Sequence, residues 1–132
     1  MEKNSNKIMK QEFFVLEVKT SGQKLYEFTD STIKWIKKNN LKNGILNLSI
    51  QHTSASLIVQ ENADPDVQID LKNYFDKLVP MDSKLYIHTS EGKDDMPSHI
   101  KSALTNNQIS MSIKDKNLLL RTWQGLFLLS ID

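Results

Sequence analysis

The sequence predicts an α+β domain with a mostly antiparallel sheet and about three helices. Strand-like segments gather toward both ends of the chain with helical segments between them, and most connections are too short for parallel crossovers. The regular strand–helix alternation of a dinucleotide fold is absent, and none of the four glycines is spaced as a phosphate-cradling loop requires. At 132 residues the chain is one domain by size, able to bury a single core without covalent staples.

Residues 1–9 are polar and aperiodic and read as a flexible tail ahead of a single domain at 10–132. Residues 12–19, rich in aromatic and β-branched side chains, suit a strand with one buried face, and Ser21-Gly22 turns the chain. A helix is expected over 29–40. Thr29 or Asp30 can cap it, Ile33 and Ile36 form its apolar face, and Lys37 and Lys38 sit at the negative end of its dipole.

Asn43-Gly44 ends that unit. Leu46, Leu48 and Ile50 then alternate with Asn47, Ser49 and Gln51, the period of a half-buried strand. One further step of the period places His52 on the apolar face, where an imidazole needs a hydrogen-bond partner or a metal. A bend at Thr53-Ser54 leads into a strand at 55–59. Asp64 before Pro65 reads as N-cap and first helical position, with Asp66 adding negative charge to the first turn. Val67, Leu71, Tyr74 and Leu78 recur at helical spacing and predict one buried stripe, which Pro80 ends.

Leu85-Tyr86-Ile87-His88 is a short apolar run before an acidic loop at 89–96. Pro97 opens a short helix carrying His99, Ile100, Ala103 and Leu104. Strands at 108–113, 118–123 and 126–131 close the chain, with turns at 114–117 and 124–125.

With 17 basic and 16 acidic residues the net charge is +1, so no global field favours nucleic acid or an acidic membrane. No stretch of ~18 apolar residues could span a bilayer, and the N-terminus lacks a signal-peptide core. The expectation is a soluble cytoplasmic protein. Because it has no cysteine, any metal must be held by His, Asp or Glu.

The three histidines are His52, His88 and His99, each following or bordering an apolar segment. Three imidazoles plus a water make the open arrangement of a catalytic zinc site, and they suit manganese, iron or nickel better than magnesium. Asp94, Asp95 or Glu61 can orient a ligand or take a proton from bound water. The plainer reading is three unrelated histidines, because their spacings fit no sequential metal motif.

Thr53 and Ser54 form either a bend that binds a substrate oxygen or a plain strand end, and no Gly-x-Ser-x-Gly elbow supports a nucleophilic serine. Glu61 and Asn62 either act in the site or satisfy loop backbone. Trp123 is a core residue or a ligand platform. Arg121, the sole arginine, is a phosphate fork or a surface charge.

Taken together, His52-Thr53-Ser54-Ala55, Glu61 to Val67, Leu78-Val79-Pro80, His88 with Glu91-Gly92, Asp94 to Lys101 and Thr122-Trp123-Gln124-Gly125 resemble the YjbQ-like family, described as secondary thiamine-phosphate synthases. The resemblance covers roughly residues 12–132. It implies a compact, sandwich-like YjbQ-like α+β domain that forms a homotrimer. It also implies a divalent metal held by His52, His88 and His99, zinc in the first place, with Mn, Fe, Ni or Mg as alternatives.

Within such a site Glu61 and Asp95 are the expected catalytic carboxylates, and Thr53, Ser54, Asn62 and Gln124 the substrate-binding groups. The implied reaction joins hydroxymethylpyrimidine diphosphate to thiazole phosphate, giving thiamine phosphate and pyrophosphate. The partner is then a small phosphorylated metabolite. Two departures stand out. Arg121 occupies a place where the family commonly has Gly, and the chain stops at Asp132 where relatives often add a basic strand that would cover a sheet edge. The competing functions are a non-enzymatic, metal-containing binding module for a phosphorylated metabolite and an unrelated metal-assisted hydrolase.

Overall fold

A computed structural model describes residues 9–130; most of the expected tail and the last two residues lie outside that range. The elements run β1 (Lys24–Glu27), α1 (Thr29–Lys38), β2 (Gly44–Ser49), β3 (Ala55–Glu61), α2 (Pro65–Leu78), a 3₁₀ turn (Ser83–Leu85), α3 (Asp95–Leu104), β4 (Gln108–Lys114), β5 (Asn117–Leu118) and β6 (Gln124–Ser130). Two antiparallel three-stranded sheets result, ordered β1-β6-β3 and β2-β4-β5.

β6 is the centre of the fold. It pairs on both edges and is buried from Gly125 to Ser130, so its two faces build two different cores. Leu126 and Leu128 face the second sheet with Leu57, Leu46 and Ile113. Phe127 and Leu129 pack with Leu25, Ile58 and Leu71 of α2 on the other face. The domain is therefore three layers: α2 and α3, then the sheet centred on β6, then the sheet centred on β4.

Local chemistry explains most boundaries. In α1, Thr32 and Ile36 are buried and the Thr32 hydroxyl donates to the Phe28 carbonyl at 3.0 Å. Asp64 caps α2, its Oδ1 accepting from Asp66 N at 2.9 Å, with Pro65 at the first helical position. β4 turns into β5 through Asp115 and Lys116, both with positive φ, as a tight antiparallel hairpin of matching twist demands.

Five local expectations are corrected. The strand at 12–19 forms no ladder. Leu16 and Val18 lean on the core and Phe14 stacks on Trp35, but Phe13 and Val15 are exposed, since no strand among the described residues pairs with this backbone. The strand at 118–123 stops at Leu118, where the chain leaves the sheet for a turn in which Gln124 N donates to Arg121 O at 3.0 Å.

The α2 stripe is rotated. Leu71 is half-buried, but Tyr74 and Leu78 are exposed, because the inward arc passes through Phe75 and Asp76 instead. His52 is exposed rather than on an apolar face, since β2 ends at Ser49 and its alternation does not reach residue 52. α3 starts two residues before Pro97, which sits in its first turn.

Candidate metal centre

Asp95 and His99 are four residues apart at the start of α3, so their side chains share one helix face. His88 reaches the same point from the preceding loop. Its Nε2 is 2.7 Å from Asp95 Oδ2, and His99 Nε2 is 3.1 Å from that same oxygen. The two rings meet edge to face with centroids 5.5 Å apart. One donor atom from each of His88, Asp95 and His99 lies within 4.8 Å of the others. Neighbouring ligands of an ion bound at ~2.1 Å stand about 3 Å apart, so these side chains fit around a shared cation.

The loop that delivers His88 depends on Gly92. Its φ of +110° suits glycine, and a Cβ there would stand 3.0 Å from Asp94 Oδ1. Folded this way, the loop brings Glu91 Oε2 to 3.4 Å from His88 Nε2.

The hydrogen-bond partners of His99 fix which ring nitrogen carries hydrogen. Its Nδ1 lies 2.9 Å from the Thr53 carbonyl oxygen, which can only accept, so Nδ1 carries hydrogen. Nε2 then points at a carboxylate oxygen with either a second proton or a lone pair. The lone pair is tolerable there only with a cation between them. An imidazole whose far nitrogen donates to a backbone carbonyl is also the usual support of a metal-ligating histidine.

Asp95 holds the His88 imidazole above its ordinary pKa, first through their hydrogen bond and then through the charges of Asp95 and Glu91. The Asp95 carboxyl is in turn held below the usual carboxylate range, chiefly by the His88 hydrogen bond.

The expected site residues fall into two groups. Asp95, His88 and His99 come together, and Thr53 joins them through its carbonyl. His52 stands one residue from that contact but outside the cluster: its Nδ1 accepts from Ser54 N at 3.0 Å, and the Ser54 hydroxyl lies 3.1 Å away. Glu61, Asn62 and Gln124 lie at the other end of β3. Ala55 pairs with Ser130 and Glu61 with Gln124, so six strand steps, roughly 20 Å, separate the ends.

That far end is a tightly tied structure of its own. Asn62 Nδ2 donates to Glu27 Oε2 at 2.7 Å, Asn62 N donates to Trp123 O at 2.8 Å, and the Gln124 side chain accepts from Arg121 N at 2.8 Å. A groove of about 360 Å³ lined by Glu61, Arg121, Trp123 and Gln124 opens there. Gly125 leaves room for this tie, because a Cβ there would meet Glu27 Oε2 at 2.6 Å and Asn62 Nδ2 at 2.9 Å and displace one of them.

Sequence reasoning overlooked Glu27, whose partner lies 35 residues away. It also overlooked Asp76 and Lys101. Lys101 is buried, and its Nζ donates to Asp76 Oδ1 at 2.7 Å. Residue order does not mark Lys101 as buried, and the carboxylate that satisfies it, 25 residues away on α2, is set by the tertiary fold.

Comparison with known proteins gives a consistent answer. A family profile described as "UPF0047 protein YjbQ-like" matches residues 14–132. A UPF0047 protein of Synechocystis is 46% identical over 114 residues, 86% of this chain and 78% of the relative. YjbQ of Salmonella typhimurium is 46% identical over 88 residues, 67% of this chain and 63% of its own length. The crystal structure of a conserved hypothetical protein from Thermus thermophilus, 31% identical, superposes with a TM-score of 0.79 over 89% of this chain and 88% of that one.

Proposed function

The chain belongs to the UPF0047 family of YjbQ-like proteins, and we propose that it is a metal-dependent enzyme of the secondary thiamine-phosphate synthase kind. It would join a pyrimidine diphosphate to a thiazole phosphate and release pyrophosphate. The observation that supports this reading is the convergence of His88, Asp95 and His99 on one point beside the Thr53 carbonyl.

Those three residues are the proposed ligands of a divalent ion, with zinc as the first candidate. When bound, such an ion supplies Lewis acidity and neutralises charge on a departing diphosphate. Asp95 carries the negative charge of the set, Thr53 fixes the orientation of His99, and Glu91 adds a second carboxylate beside His88 Nε2. His52 completes the set if its Nδ1 gives up the Ser54 amide. A cytoplasmic setting accords with a chain that has no cysteine to oxidise.

The separation of Glu61, Asn62 and Gln124 from the histidines favours an oligomer in which the groove end of one protomer serves the histidine end of another. A homotrimer is the proposed form. Exposed apolar side chains stand at both ends, Ile87 next to His88 and Trp123 next to Thr122.

The test is rescue of a thiamine auxotroph lacking its principal synthase. Rescue by the parent chain and its loss in His88→Ala and His99→Ala, at equal soluble expression, is the expected result. No rescue, with ligand-induced thermal stabilisation by the phosphorylated substrates still present, would favour the binding-module reading.

A further inference from the structure

We infer that Lys101 is a positioning residue for the histidine–aspartate centre, acting through a clamp with Asp76 that sets the seat of α3. The inference rests on the proposed metal site only for its second readout.

α3 is fastened to the sheet by polar contacts more than by apolar ones. Its buried residues are Pro97, Ser98 and Lys101. Ser102 Oγ donates to the Ala55 carbonyl at 3.2 Å, and the Thr105 hydroxyl is hydrogen-bonded to the Ser56 hydroxyl, itself fully buried. Apolar packing tolerates small sliding, whereas a buried ammonium on a carboxylate does not, because displacement leaves a charge unpaired in a poor solvent. The register of α3 is therefore decided by Lys101.

Its partner is itself held. Asp76 accepts from Lys101 at 2.7 Å, from Lys72 at 2.8 Å and from Gln23 at 2.7 Å, which ties α3 to α2 and to the turn ahead of β1. Burial alone would raise the Asp76 pKa, yet these donors bring it down to about 2. On its other side Lys101 lines a cavity of about 10 Å³, room for one water, together with Ser54, Ser56, Ser98, Ser102 and Ser130. Ser54 is the residue that holds His52 Nδ1. A single buried cation thus stands behind both the helix that carries Asp95 and His99 and the bend that carries Thr53 and His52.

The test compares the parent protein with Lys101→Met, which keeps the unbranched apolar stem without the ammonium and leaves Asp76 paired with Lys72 and Gln23. A control variant, Leu118→Ala, removes core packing near α1 and calibrates a general loss of stability. The first readout is metal-free: imidazole nitrogen and carbon resonances of His88 and His99. Lys101→Met is expected to move both and to weaken their edge-to-face contact, while Leu118→Ala leaves them in place. The second readout is cobalt(II) binding by visible absorption, with affinity expected to fall about 10–100-fold in Lys101→Met. Lys101→Arg, which retains the cation, is expected to restore most of both. Unmoved resonances in Lys101→Met, or equal movement in the control, overturns the inference. A parent protein that binds no cobalt counts against the metal reading, and the resonances then decide the clamp by themselves.

Discussion

His99 Nδ1 stands 2.9 Å from the Thr53 carbonyl oxygen, a contact across 46 residues that joins the first turns of α3 to the bend before β3. It fixes which nitrogen of the ring carries hydrogen and aims the other at Asp95. Without a seat, an imidazole on an exposed helix start would sample several rotamers and hold an ion weakly.

Metal content therefore separates the histidines. His88→Ala and His99→Ala are each expected to lose most bound metal by elemental analysis of purified protein. His52→Ala, outside the cluster as folded here, is expected to lose less. Equal loss in all three would show that His52 is a ligand of the same rank.

Asp95 couples the pair. Asp95→Asn is expected to return the His88 pKa toward its ordinary value, because the Asp95 charge that helps raise it is gone and the bond to it is no longer charge-assisted. Metal affinity falls in the same variant by about 10–100-fold. Histidine titration by NMR checks the first outcome and cobalt binding the second.

The pH dependence of metal uptake follows from the same geometry. In the metal-free protein the Asp95 carboxylate favours the protonated form of His88, and that proton competes with the ion. Affinity is expected to decline as pH falls, with the decline beginning at higher pH than an ordinary histidine would give. A cobalt titration repeated between pH 5 and 8 measures it; a flat profile across that range would exclude His88 as a ligand.

Asp76 gives a stability prediction of definite sign. Its pKa in the fold is lowered to about 2, so its contribution is present above the unfolded value and disappears as pH drops from about 4 toward 2. Asp76→Asn is expected to cost about 1–2 kcal/mol at pH 7, discounted for partial exposure of the carboxylate. Near pH 2 the parent and variant should melt together.

Gly125→Ala tests the tie beneath the groove. A Cβ placed 2.6 Å from Glu27 Oε2 must push Glu27 or Asn62 out of their bond, at a cost of about 1–3 kcal/mol. Thermal melting should shift down by several degrees. Glu27→Ala combined with Gly125→Ala should recover part of the packing cost, because the obstructing oxygen is then absent.

Much of this could be read from residue order. Asp64-Pro65 announced the start of α2, the alternation from Leu46 to Ser49 marked β2, and Lys114 to Asn117 marked the tight hairpin. These are local signals, decided by cap chemistry, side-chain period and turn dihedrals within a few residues. Residues 12–19 carry an equally good strand pattern but form no ladder, since pairing needs a neighbour that composition cannot supply. Tyr74 and Leu78 likewise had the right spacing and the wrong orientation: the arc that α2 buries is chosen by where Phe75 and Asp76 find partners.

What the sequence by itself determined is the inventory: an α+β chain, an acidic loop running into a short helix that carries His99, and three histidines as the full supply of imidazole. Only the tertiary structure decided which of them meet. His88 joins the pair because a loop turning at Gly92 folds back on α3, whereas His52 binds its own Ser54 and stays apart. Local periodicity specifies the direction of a side chain along one element. Placing donor atoms from separate elements within 4.8 Å of one another requires those elements to be packed, and packing is a property of the whole core.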